Sequence, residues 1–147
     1  MTKKGILYLT ILASLLVFPT VLNAQCKQFA KNTCKSGLEP YQHDGNYHAA
    51  VLTTGEEAEL YKTFYSDTDY RIAICGADAL PDIEFRIIDS DRNVLYTNKD
   101  NEYSRTWNFR LEASQQLKIS VRVPVEDGMP EEASSGCVAI MFGFQER

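Results

Sequence analysis

From Tyr47 to its end the chain alternates apolar and polar side chains, and no other feature constrains its fold as strongly. The clearest run is "QLKISVRVPV", with Leu117, Ile119, Val121, Val123 and Val125 set against Lys118, Ser120 and Arg122. Successive side chains of a strand point to opposite faces, so such a run buries one face and wets the other. "EEAELYKTFY", "YRIAIC", "IEFRII", "RTWNFRL" and "GCVAIMFGF" repeat the pattern, and "HAAVLTT" and "VLYTN" are shorter apolar runs ended by turn signals. About eight strands follow, rich in β-branched and aromatic residues. No helical stretch lies between them, which excludes parallel crossovers. The expectation is an all-β, antiparallel sandwich.

The first two dozen residues differ. Lys3 and Lys4 precede an uncharged apolar run, Ile6 to Phe18, then Pro19 and a small Ala24. This is the layout of a secretory signal peptide cleaved after Ala24. The run is shorter than the roughly 20 residues a membrane span needs. Lipidation at Cys26 is the rival reading, but Gln25 is larger than the small residue expected before a lipidated cysteine. The remaining residues, 25–147, suit one domain. They hold thirteen basic and twenty acidic side chains, a net charge of −7. That balance argues against nucleic acid as a partner, since neutralising phosphates needs a basic surface. No polybasic segment would hold the protein on anionic lipid, and no integral membrane span is expected in the mature chain.

"CKQFAKNTCKSG" breaks the β pattern. Cys26, Phe29, Ala30, Thr33 and Cys34 fall at helical spacing, Lys27, Lys31 and Lys35 take the other side, and Gly37 sits where a helix stops. A short helix over 25–36 is predicted, ahead of strands over 47–145. The second faces of "YRIAIC" and "GCVAIMFGF" are small or apolar, not charged, so something must cover them; the helix carrying Phe29 is the available lid. An even count of four cysteines in an exported domain suggests two disulfides. Cys75 ends one strand and Cys137 begins another, so a Cys75–Cys137 bridge is preferred, worth about 4 kcal/mol in loop entropy. Cys26–Cys34 would then be the second. In an unbroken helix their Cα atoms would be about 12 Å apart, so that pairing requires unwinding near Asn32–Thr33. The alternative is that one or both staple the lid to the sheet. No C-x-x-C or His-x-x-x-His spacing points to zinc.

"FRIIDSDRNVLYTN" holds a superficial calcium loop. Asp89, Asp91 and Asn93 stand at positions 1, 3 and 5, but position 6 is Val94 instead of glycine and position 12 is Asp100 instead of glutamate. Asp, Ser and Asn also make hairpin bends by bonding to nearby backbone. The segment therefore reads as a bend, and no metal or cofactor is expected. "DIEFRIIDSDRNVLYTN" resembles the central hairpin of bacterial pre-peptidase C-terminal-type domains, and "YRIAIC" and "QLKISVRV" resemble their flanking strands. The resemblance covers Glu57 to Val125 and extends to small secreted bacterial proteins without assigned activity. It implies a jelly-roll-like sandwich and an accessory or binding role beside secreted enzymes, with no catalytic residues. The chain departs from that pattern in carrying four cysteines and no attached peptidase.

Catalysis has thin support. His43, Asp44 and His48 could supply a base, an orienter or metal ligands, but no Gly-x-Ser-x-Gly frames a nucleophile. Glu56, Glu57 and Glu59 read as a solvated strand edge. Aromatics are the better lead. Tyr61 and Tyr65, with Tyr103 and Trp107, could stack a glycan or hold a peptide, although Trp107 also fits the core pattern of Phe109 and Leu111. The sequence thus points to a non-catalytic exported binding or accessory module with a glycan, protein or peptide partner. A surface-assembly protein is the second reading and a small hydrolase the third.

Overall fold

Four pairings generate the architecture. In a computed structural model, which describes residues 21–125, 127–128 and 134–146, the strands are β1 (Gln42–His43), β2 (His48–Thr53), β3 (Glu57–Phe64), β4 (Asp69–Gly76), β5 (Glu84–Ile88), β6 (Val94–Thr97), β7 (Thr106–Phe109), β8 (Gln115–Arg122) and β9 (Ser135–Gln145). Most of the expected signal peptide, residues 1–20, lies outside the described residues. β2 pairs with β9, β3 with β8, β4 with β7 and β5 with β6, all antiparallel. The chain is thus one long hairpin whose halves run back along each other. Pairings of β4 with β9 and of β5 with β8 wrap it into two sheets. One sheet runs β2–β9–β4–β7, with β1 extending the β2 side of β9; the other runs β3–β8–β5–β6. This is the jelly-roll path through an antiparallel sandwich.

The Asp89–Asn93 bend is the tip of that long hairpin. Asp89 Oδ1 accepts the Asn93 backbone N–H at 2.8 Å, and Oδ2 accepts Asn93 Nδ2 at 2.9 Å. Arg92 takes a positive φ of 69°, and the register shifts by a bulge after Ile87. Of the weak calcium set Asp89, Asp91 and Asn93, the Asp89 carboxylate is therefore committed to shaping the turn.

The inner faces hold the core. Phe64, Phe85, Ile72, Ile87, Leu117, Ile119, Val121 and Phe142 are fully buried. Phe64 sits at its centre, edge-on to Tyr70, Phe109 and Phe142 at 4.9, 5.0 and 5.8 Å. Burying one such side chain contributes about 1.5–3 kcal/mol. Asn98 and Ser120 are buried polar residues among those described, and Asn98 bridges two strands. Its amide oxygen accepts the Phe85 N–H and its nitrogen donates to the Ile83 carbonyl, which ties the end of β6 to the start of β5.

β4 and β9 are dry on both faces. Their outward residues Ala73, Ala139 and Met141 are buried beneath Cys26, Ala30, Cys34 and Leu38 of the N-terminal segment. That segment starts as a helix, α1 (Val21–Phe29), widens to π geometry over Ala30–Cys34 and tightens to 3-10 over Lys35–Leu38. It starts earlier than the predicted 25–36 and changes pitch. The close approach continues at Gly143, where a Cβ would stand 2.7 Å from the Tyr41 Cβ.

The preferred disulfide pairing is overturned. The bridges are Cys26–Cys137 and Cys34–Cys75, with Cα separations of 5.2 and 5.7 Å. Register explains it. Cys75 stands opposite Ala139, and Cys137 stands opposite Val51. Cys75 and Cys137 are therefore only diagonal neighbours, about 7–8 Å apart and beyond disulfide reach. Cys26 and Cys34 both face the sheet instead. Eight residues of regular α-helix overshoot two turns by about 80°. The wider π turn rotates less per residue and brings the second sulfur back toward the first one's face. Both bridges therefore staple the lid, one to each of the two doubly buried strands.

Peptide mapping without reduction is expected to recover Cys26 linked to Cys137 and Cys34 linked to Cys75. Recovery of a Cys75–Cys137 fragment would contradict this register. Removing the Cys34–Cys75 bridge by double substitution to alanine is expected to cost about 2–5 kcal/mol in denaturant unfolding. Phe64→Ala is expected to cost about 3–5 kcal/mol in the same measurement.

Candidate functional site

The two sheets leave two lateral openings, and the sequence fills them differently. On the β6/β7 side, Tyr96, Trp107 and Phe109 stack in series. Their ring centres lie 5.0 and 4.4 Å apart at interplanar angles of 18° and 12°. On the β2/β3 side the inward positions carry Ala50 and Ala58 beside Leu52 and Leu60. A slot of roughly 360 Å3 remains, with Val121, Val138 and Ile140 among its walls and Tyr47, His48 and Glu59 also lining it. Further along β3 and β9 lies a second cleft of roughly 270 Å3, whose lining includes Asp44, Lys62, Tyr65, Tyr70, Phe142 and Phe144.

Lys62 takes the next inward position of β3 after Leu60. Its Nζ lies 4.9 Å from the centre of the Phe142 ring and donates to Asp44 Oδ2 at 2.9 Å. Asp44 Oδ1 accepts the Asn46 N–H at 2.8 Å. Burial alone would raise the Asp44 carboxyl, but the bonds from Lys62 and Asn46 outweigh it and hold it below its ordinary 3.8. His43 Nε2 is 3.0 Å from the Asn46 carbonyl and 3.7 Å from Asp44. His48 packs edge-on against Phe142 at 5.6 Å. Burial lowers its pKa below 6.5, against the pull of the Asp44 charge. The structure thus gathers His43, Asp44 and His48 around one open side. Asp44 is spent on Lys62 and Asn46, however, and does not orient an imidazole toward a nucleophile. Among the described residues no cysteine is free, and no serine lines either cleft. What the sequence reading missed is Lys62, whose inward position on an apolar face was the available signal.

The four aromatic candidates are not brought onto one surface. Tyr61 and Tyr65 are exposed, 58% and 63%. Tyr65 borders the second cleft, and Tyr61 stands opposite Lys118 on the neighbouring strand. Tyr103 lines a small separate cavity with Leu80, Pro81 and Arg105. Trp107 has both ring faces covered by Tyr96 and Phe109, so it belongs to the core pattern and not to an open platform. The acidic edge is paired. Glu57 accepts from Ser120 Oγ and Arg86, and Glu59 accepts from Lys118 Nζ at 2.8 Å. The Ser120 hydroxyl, more than the Arg86 charge, holds the Glu57 carboxyl below its usual range.

No protein-family model matches the chain, and no curated protein matches it. Among solved structures it is similar to PliG of Aeromonas hydrophila, a periplasmic lysozyme inhibitor of g-type lysozyme. The TM-score is 0.51 at 11% identity, over 73% of this chain and 90% of that one. The likeness is one of fold. It spans nearly the whole of the inhibitor, so the two share the sandwich as a unit.

The signs of the two shifts give a pH dependence. A neutral, half-buried His48 stabilises the fold fully above pH 6.5, and that contribution is lost as pH falls through its lowered folded pKa. The Asp44–Lys62 contribution is full above pH 3.8 and lost as pH falls below it. The melting temperature is expected to decline between pH 7 and 5, with a smaller decline in His48→Gln. A second decline below pH 4 is expected to shrink in Asp44→Asn. Parallel curves for parent and His48→Gln would remove the first assignment.

Proposed function

We propose that this is an exported, non-catalytic protein-binding module whose partner is an enzyme acting outside the cytoplasm, and that it inhibits a lysozyme. The observation that carries this reading is the fold shared with a lysozyme inhibitor across 90% of that protein's length. The chemistry supports it. Two disulfides suit an oxidising compartment. The side chains gathered at the open side make an ion pair and packing contacts, not a nucleophile–base pair. The net charge of −7 over residues 25–147 favours encounter with a cationic protein. The resemblance of the β5–β6 hairpin to pre-peptidase C-terminal-type domains supports a related accessory role, and it too makes the partner a secreted enzyme.

Residues 25–147 are expected to slow lysis of a peptidoglycan suspension by a g-type lysozyme in proportion to the molar ratio added. The effect is expected to weaken as salt rises, because steering by net charge is screened. His43→Ala and His48→Ala are expected to leave inhibition intact. An unchanged lytic rate at tenfold molar excess would refute the reading, and hydrolysis by the module itself, lost in His48→Ala, would favour an enzyme instead.

A further inference from the structure

We infer that Gln25, once cleavage after Ala24 makes it the first residue, closes on itself to pyroglutamate, so that the mature protein begins with a blocked terminus. The inference rests on the export reading and adds a covalent modification at a named residue.

The sequence leaves one place for the cut. Between Pro19 and Cys26 the only alanine, glycine or serine is Ala24, and a signal peptide is cut after a small residue. A cut beyond Cys26 would discard a cysteine that the fold uses, since Cys26 is fully buried and bridged to Cys137. The same bridge decides against lipidation at Cys26. A lipid would be carried on the cysteine sulfur as a thioether, and that sulfur is already bonded to its partner. Gln25 is thus left exposed beside a residue fixed to β9.

The reaction needs no second reagent. The neutral α-nitrogen attacks the side-chain carbonyl carbon Cδ. The N–Cδ bond forms, the Cδ–Nε2 bond breaks, and ammonia leaves with a proton taken from the amine. The product is a five-membered lactam, and nothing is oxidised or reduced.

The local structure favours closure. Cleavage removes the start of α1, so the Gln25 nitrogen joins the unpartnered groups of a helix terminus. The Gln25 side-chain amide makes no hydrogen bond among the described residues, whereas that of Gln28 donates to Asn32 Oδ1 at 3.2 Å. An ammonium at Gln25 would oppose the positive end of the aligned peptide dipoles. That field favours the neutral, nucleophilic amine, and the lactam removes the charge altogether. Its ring resembles that of proline, which the first helical position accommodates. The terminus is then closed twice. Aminopeptidases need a free α-amine, which residue 25 lacks, and Cys26 behind it is buried and bridged.

The test expresses the full chain, 1–147, in a bacterial host and recovers the exported protein without reduction. Its intact mass is expected to equal that of residues 25–147 less four hydrogens for the two disulfides and less one ammonia. Edman degradation is expected to yield no first residue until pyroglutamate aminopeptidase has acted on the reduced protein. A general aminopeptidase is expected to release residue 25 from Gln25→Ala at least tenfold faster than from the parent. If Gln25→Ala is not exported, Gln25→Glu, which has no amide to expel, is expected to show the same free amine. A free Gln25 amine that persists through prolonged incubation at about pH 8, where much of the amine is neutral, would overturn the inference and leave the cleavage standing. A first residue other than Gln25 would sink the cleavage and the inference with it. A mass raised by a diacylglyceryl group on Cys26 would overturn both, along with the Cys26–Cys137 bridge.

Discussion

Two strands of this protein are buried on both faces, and the rest of the structure answers to that constraint. β9 and β4 form the middle of one sheet. Their inward residues Ile72, Ile74, Val138, Ile140 and Phe142 make the sandwich core, and their outward Ala73, Ala139 and Met141 would be an apolar patch in water. An antiparallel sheet can leave one face wet only where that face is polar. The lid is therefore part of the fold and not an appendage. A segment this short has little packing of its own and would fray if it were held by apolar contact alone. Two covalent staples remove that freedom. Each fixes the lid to a different central strand, so neither strand can move without carrying the lid with it.

Much of this was legible in the residues. The period-two runs located eight of the nine described strands, because an inward–outward alternation is local information. The uncharged second faces of "YRIAIC" and "GCVAIMFGF" announced a cover, and the helical spacing of Cys26, Ala30 and Cys34 supplied it. The connectivity of the cysteines was not legible. It depends on which residue of β9 stands opposite Cys75, and a two-residue difference in register separates a bridge from a diagonal non-contact. Register between segments some 60 positions apart is set by the whole sheet and not by either segment alone. The π turn was invisible for a similar reason. Nothing in "AKNTC" demands it, whereas two sulfurs that must reach the same sheet do.

The functional surface was harder still. Tyr61, Tyr65, Tyr103 and Trp107 drew attention because large aromatics are conspicuous in a sequence. The topology sends Trp107 into a stack that closes one opening of the sandwich and Tyr103 into a separate cavity, while Tyr61 and Tyr65 stay exposed on and beside β3. The opposite opening is defined by what is missing there. Ala50 and Ala58 look like ordinary strand residues, and they become a slot only when β2 and β3 prove to be facing edges of different sheets. A cavity made of small side chains leaves no mark in a sequence until the strand order is known.

The division of labour between the two openings then has a physical reason. A sandwich with four edges must guard or fill each of them, or something else will pair there. Here the aromatic stack and the charged β3 account for three edges, and the covalent lid holds the sheet to which the fourth belongs. With β9 anchored by Cys137, β2 need not contribute its own outer neighbour to keep the sheet intact. Cys137 stands directly opposite Val51, so the staple braces β2 through its β9 partner. The disulfide that closes the dry outer face therefore also fixes the edge strand beside it.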